Sequence, residues 1–86
     1  MKTIVIYTMN HCPFCEMAKG HLKQLKLPYK EINVHQQKNI DELRLELMNK
    51  SGQRTLPQIF IGEHSVGGYT DLIKLSVDEI NRFLDS

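Results

Sequence analysis

Thr3-Ile4-Val5-Ile6-Tyr7-Thr8 is a continuous apolar, β-branched run, and within a few residues it gives way to helical spacing, with Cys15, Ala18, Leu22 and Leu25 on one side. A run of that kind belongs to a strand buried on both faces, which needs covering layers above and below. Tyr29 to Val34 then alternates, placing Ile32 and Val34 on one face, and predicts a second strand. A strand-helix-strand beginning requires a parallel pair with a right-handed crossover. Pro13 suits the first turn of the intervening helix, and Pro28 is expected to stop it.

The remainder completes a small α/β plan. Gln37 to Lys50 places Ile40, Leu43 and Leu47 on one side, with Lys38/Glu42, Asp41/Arg44 and Glu46/Lys50 as surface pairs, and Ser51-Gly52 ends the helix. Gln58 to Ile61 reads as a third strand, turning at Gly62-Glu63 into a short fourth around Ser65-Val66, close enough for an antiparallel hairpin. After Gly67-Gly68 the pattern is helical again, broken at Ser76, where Ser76 and Glu79 can form a capping box. The expected fold is a four-stranded mixed sheet with helices on both faces.

At 86 residues the chain has room for one domain, spanning residues 1–86, and one compact core. A net charge of +1 supplies no electrostatic reason to expect nucleic acid or an anionic membrane surface. Behind Lys2 the apolar run from Ile4 to Tyr7 is too short for a signal-peptide core or a membrane span, so a cytoplasmic location is expected. In that reducing compartment a pair of cysteines serves metal binding or redox chemistry more readily than it serves as a staple.

Both cysteines stand in Cys12-Pro13-Phe14-Cys15, where the first strand yields to the first helix. A thiolate at a helix N-terminus is stabilised by unpaired N–H groups and the helix dipole. Cys12, at or before the helix start, is the expected nucleophile; Cys15, one turn further in and facing the core, is the expected resolving thiol. Two other uses stay open on this motif alone. The pair can be inert and buried, or it can share zinc with His11 and His21, although those histidines lack the spacing of a ligand pair. Phe14 and Met17, three apart on an exposed side of the helix, offer an apolar docking surface for protein disulfides, or Met17 simply covers a neighbouring loop.

Thr55-Leu56-Pro57 precedes the third strand, and Gly67-Gly68-Tyr69-Thr70-Asp71 opens the next helix. With a cis Pro57, Leu56 can present its backbone N–H and C=O to an extended ligand lying across the cysteines. Glycines ahead of a helix leave N–H groups for a small carboxylate, and Asp71 can either receive an amino group or serve its own helix as a first-turn acid.

Taken in order, the CPFC, TLP and GGYTD segments resemble those of the glutaredoxins over essentially the whole chain, with Phe14 where the dithiol members usually carry tyrosine. The resemblance implies a thioredoxin-like fold and glutathione as reductant and co-substrate, with no permanently bound cofactor or metal. It implies that Cys12 carries the glutathionyl mixed disulfide and that Leu56, before cis-Pro57, pairs with the glutathione cysteinyl unit. It further implies that the Thr70 region holds the γ-glutamyl carboxylate and that Asp71 receives the γ-glutamyl amino group. Met9 stands where many members have a lysine that binds the glycyl carboxylate, and Arg54 and Gln37 are the candidates to hold that carboxylate instead; Thr70 stands where an acid is common. The implied partners are glutathione and disulfide-bearing or glutathionylated proteins, and nothing in the chain demands more than a monomer. Two rivals remain: a small redoxin served by thioredoxin reductase, and a dimer binding a [2Fe–2S] cluster through Cys12 and two glutathiones, which Pro13 disfavours by stiffening the motif.

Overall fold

The computed structural model describes residues 2–85. The elements run β1 (Ile4–Thr8), α1 (Pro13–Gln24), β2 (Tyr29–Asn33), a 3-10 turn at Val34–Gln36, α2 (Ile40–Ser51), β3 (Gln58–Ile61), β4 (His64–Gly67), α3 (Tyr69–Leu72) and α4 (Val77–Asp85). The sheet order is β2-β1-β3-β4, with β1 parallel to β2, antiparallel to β3, and β3 antiparallel to β4.

Pleating sends alternate β1 residues to opposite faces, and each face has its own core. Ile4, Ile6, Ile59 and Ile61 meet Ala18 and Leu22 of α1, Leu72 of α3 and Ile80 of α4 on one side. On the other, Phe60 packs with Val34 and Leu47, and Tyr7, Met9, Ile40, Leu43 and Leu56 close around them. The second face is covered chiefly by α2, so Val5 and Tyr7 are only half-buried; β1 is central, yet fully buried on one face rather than both.

Three boundaries differ from expectation for local reasons. α1 ends at Gln24, ahead of Pro28, because Lys26 adopts φ 59° and the N–H groups of Lys26 and Leu27 turn back to the carbonyls of Lys23 and Leu22, a Schellman closure with lysine at the left-handed position. β2 stops at Asn33, whose side chain accepts the His35 N–H and draws Val34–Gln36 into a 3-10 turn. α2 consequently begins at Ile40 rather than Gln37, which leaves Lys38 outside the helix; of the three surface pairs expected along it, Glu46–Lys50 closes, at 3.1 Å. Gly52, at φ 74°, ends α2 as anticipated. The capping box of α4 also forms: Ser76 N–H donates to Glu79 Oε1, and Glu79 N–H to Ser76 Oγ, each at 3.1 Å. In the hairpin, Ile59 faces Gly67 but Phe60 faces Ser65, so Val66 is an extra residue that forms a bulge.

Candidate active site

Cys12 is the N-cap of α1, with extended φ and ψ, and Pro13 occupies the first helical position, where its missing N–H costs no helical bond. The Cys12 Sγ accepts the Cys15 backbone N–H at 3.2 Å. Cys12 and Cys15 are joined as a disulfide with Cα atoms 5.2 Å apart, the 3-residue separation of one helical turn. Depth separates the two sulfurs: Cys12 keeps 8% of its surface, Cys15 none. Any external thiol or disulfide therefore meets Cys12 first.

Two further segments converge on this helix end. The Leu56–Pro57 peptide is cis, and the Leu56 carbonyl oxygen lies 3.7 Å from Cys12 Sγ. Opposite, Gly68 caps α3, and Phe14 of α1 leans on Tyr69 with ring centroids 6.2 Å apart. A groove of about 300 Å³ runs between them, lined by Phe14, Thr55, Leu56, Pro57, Gly68, Tyr69 and Thr70.

Of the two roles open to Asp71, the structure shows the one toward its own helix. Its Oδ2 accepts the Gly68 N–H at 3.0 Å, which ties the acid to its own helix start and leaves Oδ1 outside that bond. Gly67 makes room for this arrangement. At φ 112° it sits where side chains are disfavoured, and a Cβ there would press into the Asp71 carboxylate.

Not every expected residue joins the groove. Arg54 is turned away, its Nε donating to Met48 Sδ at 3.2 Å, and it lines a separate cleft with Arg44, Leu45 and Met48. Gln37 donates to the Asn33 carbonyl at 3.3 Å and borders a cleft at the start of α2. Met9 is committed to the second core. Phe14 and Met17 are exposed together, at 55% and 47%. His21 lies on α1 with its Nε2 buried, and among the described residues no group of three or more His, Cys, Asp or Glu side chains is arranged to hold a metal ion.

Gln58 escapes notice in the sequence because it reads as one polar residue in an apolar strand. It is buried, and its Nε2 donates to the carbonyls of Gln53 at 2.8 Å and Thr55 at 3.2 Å, bracing the loop that carries Leu56. A polar residue directly after Thr-Leu-Pro in a strand otherwise apolar was the available signal. A second brace holds α1 to the sheet. Thr8 Oγ1 donates to Glu31 Oε2 at 2.7 Å, and Lys19 reaches both Glu31, at 3.1 Å, and Glu16, at 2.7 Å. The Thr8 hydroxyl, more than Lys19, lowers the Glu31 pKa against the opposing effect of partial burial, and Glu16, then Glu31, raise that of Lys19.

A four-stranded mixed sheet of this order, flanked by helices, with a Cys-x-x-Cys pair at the first helix end and a cis-proline loop beside it, defines a thiol-disulfide oxidoreductase of thioredoxin-like fold. The family model for glutaredoxin matches residues 4–66. A glutaredoxin of Pseudomonas aeruginosa is 44% identical over 72 residues, covering 84% of this chain and 82% of that protein. One from Neisseria meningitidis is 41% identical over 83 residues, covering 87% and 86%. Among solved structures, a buckwheat glutaredoxin-glutathione complex superimposes with a TM-score of 0.86 at 27% identity over 98% of this chain and 77% of that one. Wheat glutaredoxin superimposes at 0.83 and 30% identity, over 95% and 80%. The chain belongs to the glutaredoxin family, and it is an enzyme of thiol-disulfide exchange.

Proposed function

We propose that the chain is a glutathione-dependent oxidoreductase that reduces glutathione mixed disulfides and protein disulfides, with Cys12 as the attacking sulfur. The observation that carries this is the groove between Leu56 on one wall and the capped start of α3 on the other, beside Cys12, whose Sγ lies 3.7 Å from the Leu56 carbonyl oxygen. The similar buckwheat protein is seen as a glutathione complex, which supports the same ligand here.

With the disulfide reduced, the Cys12 thiolate gains the Cys15 N–H and the positive end of α1. It attacks the glutathionyl sulfur of a protein-glutathione disulfide; the protein thiolate leaves, and Cys12 carries glutathione. A second glutathione thiolate attacks that bond, releasing oxidised glutathione and restoring Cys12. On a protein disulfide, Cys12 forms the mixed disulfide, Cys15 displaces the substrate thiolate, and two glutathiones reduce the resulting Cys12–Cys15 bond. The Leu56 backbone pairs with the cysteinyl unit, the Thr70 region takes the γ-glutamyl carboxylate, and Asp71 Oδ1 receives the amino group. Arg54 or Gln37 reaches the glycyl carboxylate only after leaving its present partner. Phe14 and Met17 form the apolar shoulder against which the protein substrate docks, and the cytoplasm supplies the reduced glutathione the cycle consumes.

A coupled assay on a small glutathione mixed disulfide tests the reading. Activity is expected with glutathione and glutathione reductase, and not with thioredoxin reductase alone. Cys12→Ser is expected to abolish turnover, whereas Cys15→Ser spares deglutathionylation and impairs reduction of protein disulfides. Equal loss in both variants on the glutathionylated substrate would overturn the division of roles.

A further inference from the structure

The turn from β1 into α1 passes through His11, whose φ of 56° lies in the left-handed region that residues with a Cβ disfavour. Such a conformation persists where its surroundings over-determine it. What holds it here is the residue before. Asn10 N–H donates to His35 Nδ1 at 3.1 Å, and Asn10 Oδ1 accepts Asn33 Nδ2 at 3.0 Å. Asn33 Oδ1 in turn accepts the His35 N–H at 2.9 Å, closing a ring of three residues.

Both ends of the Asn33 amide are used, so its orientation is set by two partners. The ladder delivers it to this place: Asn33 is the register partner of Thr8, two residues before Asn10. His35 accepts at Nδ1, which puts its proton on Nε2. No other bond among the described residues ties the Asn10 and His11 turn to β2 and the 3-10 turn, and Cys12 follows it directly.

We propose that Asn33 and His35 are positioning residues for the attacking sulfur. By clamping Asn10 they hold His11 in its left-handed turn and fix the direction in which the chain enters α1. That direction sets the extended N-cap geometry of Cys12, and with it the 3.2 Å approach of the Cys15 N–H that stabilises the thiolate. Without the clamp the turn relaxes, and the sulfur loses part of that N–H and of its place beside Leu56. The proposal rests on Cys12 being the activated thiol.

The test uses the reduced full chain with Cys15→Ser, so that one thiol remains, and follows the iodoacetamide alkylation rate of Cys12 against pH, alongside kcat/KM for a glutathione mixed disulfide. Asn33→Ala and His35→Ala are expected to move the alkylation midpoint up toward that of a free thiol and to lower kcat/KM about fivefold. His35→Asn, which keeps an acceptor near the δ position, is expected to restore both to within about twofold. In a His11→Gly background, where the left-handed turn carries no side-chain penalty, His35→Ala is expected to lose at least about half of its effect. An activated parent thiol whose midpoint stays put in both alanine variants, even with a lower Tm, would overturn the clamp. So would a His35→Ala effect that is undiminished in the His11→Gly background. A parent Cys12 that alkylates like a free thiol, near about pH 8.5, would instead sink the reading of Cys12 on which the clamp rests.

Discussion

Met9 packs on the second core, against the same Val34, Leu47 and Phe60 cluster that Leu56 covers, at the position where many glutaredoxins place a lysine. Charge has been exchanged for packing. Met9→Lys is expected to lower KM for glutathione by up to about fivefold, the roughly 1 kcal/mol of an exposed ion pair. It should also lose about 1 kcal/mol of stability from the vacated apolar contact. Steady-state kinetics and urea unfolding check the two halves, and an unchanged KM would show that the site has no use for a cation there. Gly67 makes a sharper case. Gly67→Ala forces a Cβ into the Asp71 carboxylate at a positive φ, so about 1–3 kcal/mol of stability should be lost together with a raised KM for glutathione as Asp71 is displaced. A KM that holds while Tm falls would separate Asp71 from binding. The three segments that hold Cys12 and Cys15, Leu56 and Pro57, and Thr70 and Asp71 stand out in the sequence as short contiguous motifs, while the roles expected of them toward glutathione come from the resemblance. Gln58 and the Phe14–Tyr69 contact do not stand out in this way, since their partners come together only when distant segments fold.

At the level of elements, legibility follows how local the signal is. Ser76 and Glu79 announce the start of α4, and Gly52 the end of α2, because the residues that make the bonds are the residues that mark them. α1 closes without such a mark: a lysine, indistinguishable in composition from any surface residue, takes the left-handed position, and the proline two residues on looks like the stop. Likewise the start of α2 is hidden because Asn33 competes for the backbone and winds a 3-10 turn where the pattern predicts strand and then helix. Lys26→Gly removes the side-chain cost of the left-handed conformation while adding some chain entropy to the unfolded state. A net gain of about 0.5–1 kcal/mol is expected, read as a higher urea midpoint with an unchanged slope. A loss would mean that the lysine's aliphatic stem contributes packing beyond its backbone.

Across the whole molecule, the Thr8–Glu31–Lys19 brace joins the end of β1, the edge strand β2 and the helix bearing the cysteines. Glu31 titrates below its ordinary 4.5, first because the Thr8 hydroxyl donates to the ionised form. A depressed carboxyl stabilises the fold in full above about 4.5 and loses that contribution as the pH falls through the lowered value. Lys19, raised above 10.5, contributes below that pH and loses it as the pH rises through the raised value. Between these limits the brace is intact. Glu31→Gln is expected to be less stable near neutral pH and to show a shallower decline than the parent as the pH falls below 4.5, measured by urea unfolding. Parallel curves would assign the acid response to other carboxylates.

The bulge at Val66 has a consequence for how the protein behaves in a crowded solution. A sheet of four strands has two open edges, and each is a template on which another chain can add. β4 is four residues long, and the extra residue interrupts its ladder after a single pairing, so the unpaired side offers no long straight row of donors and acceptors. On the opposite edge, Lys30 and Glu31 put charge into the middle of β2. Both margins of the sheet are thus poor templates for a further strand.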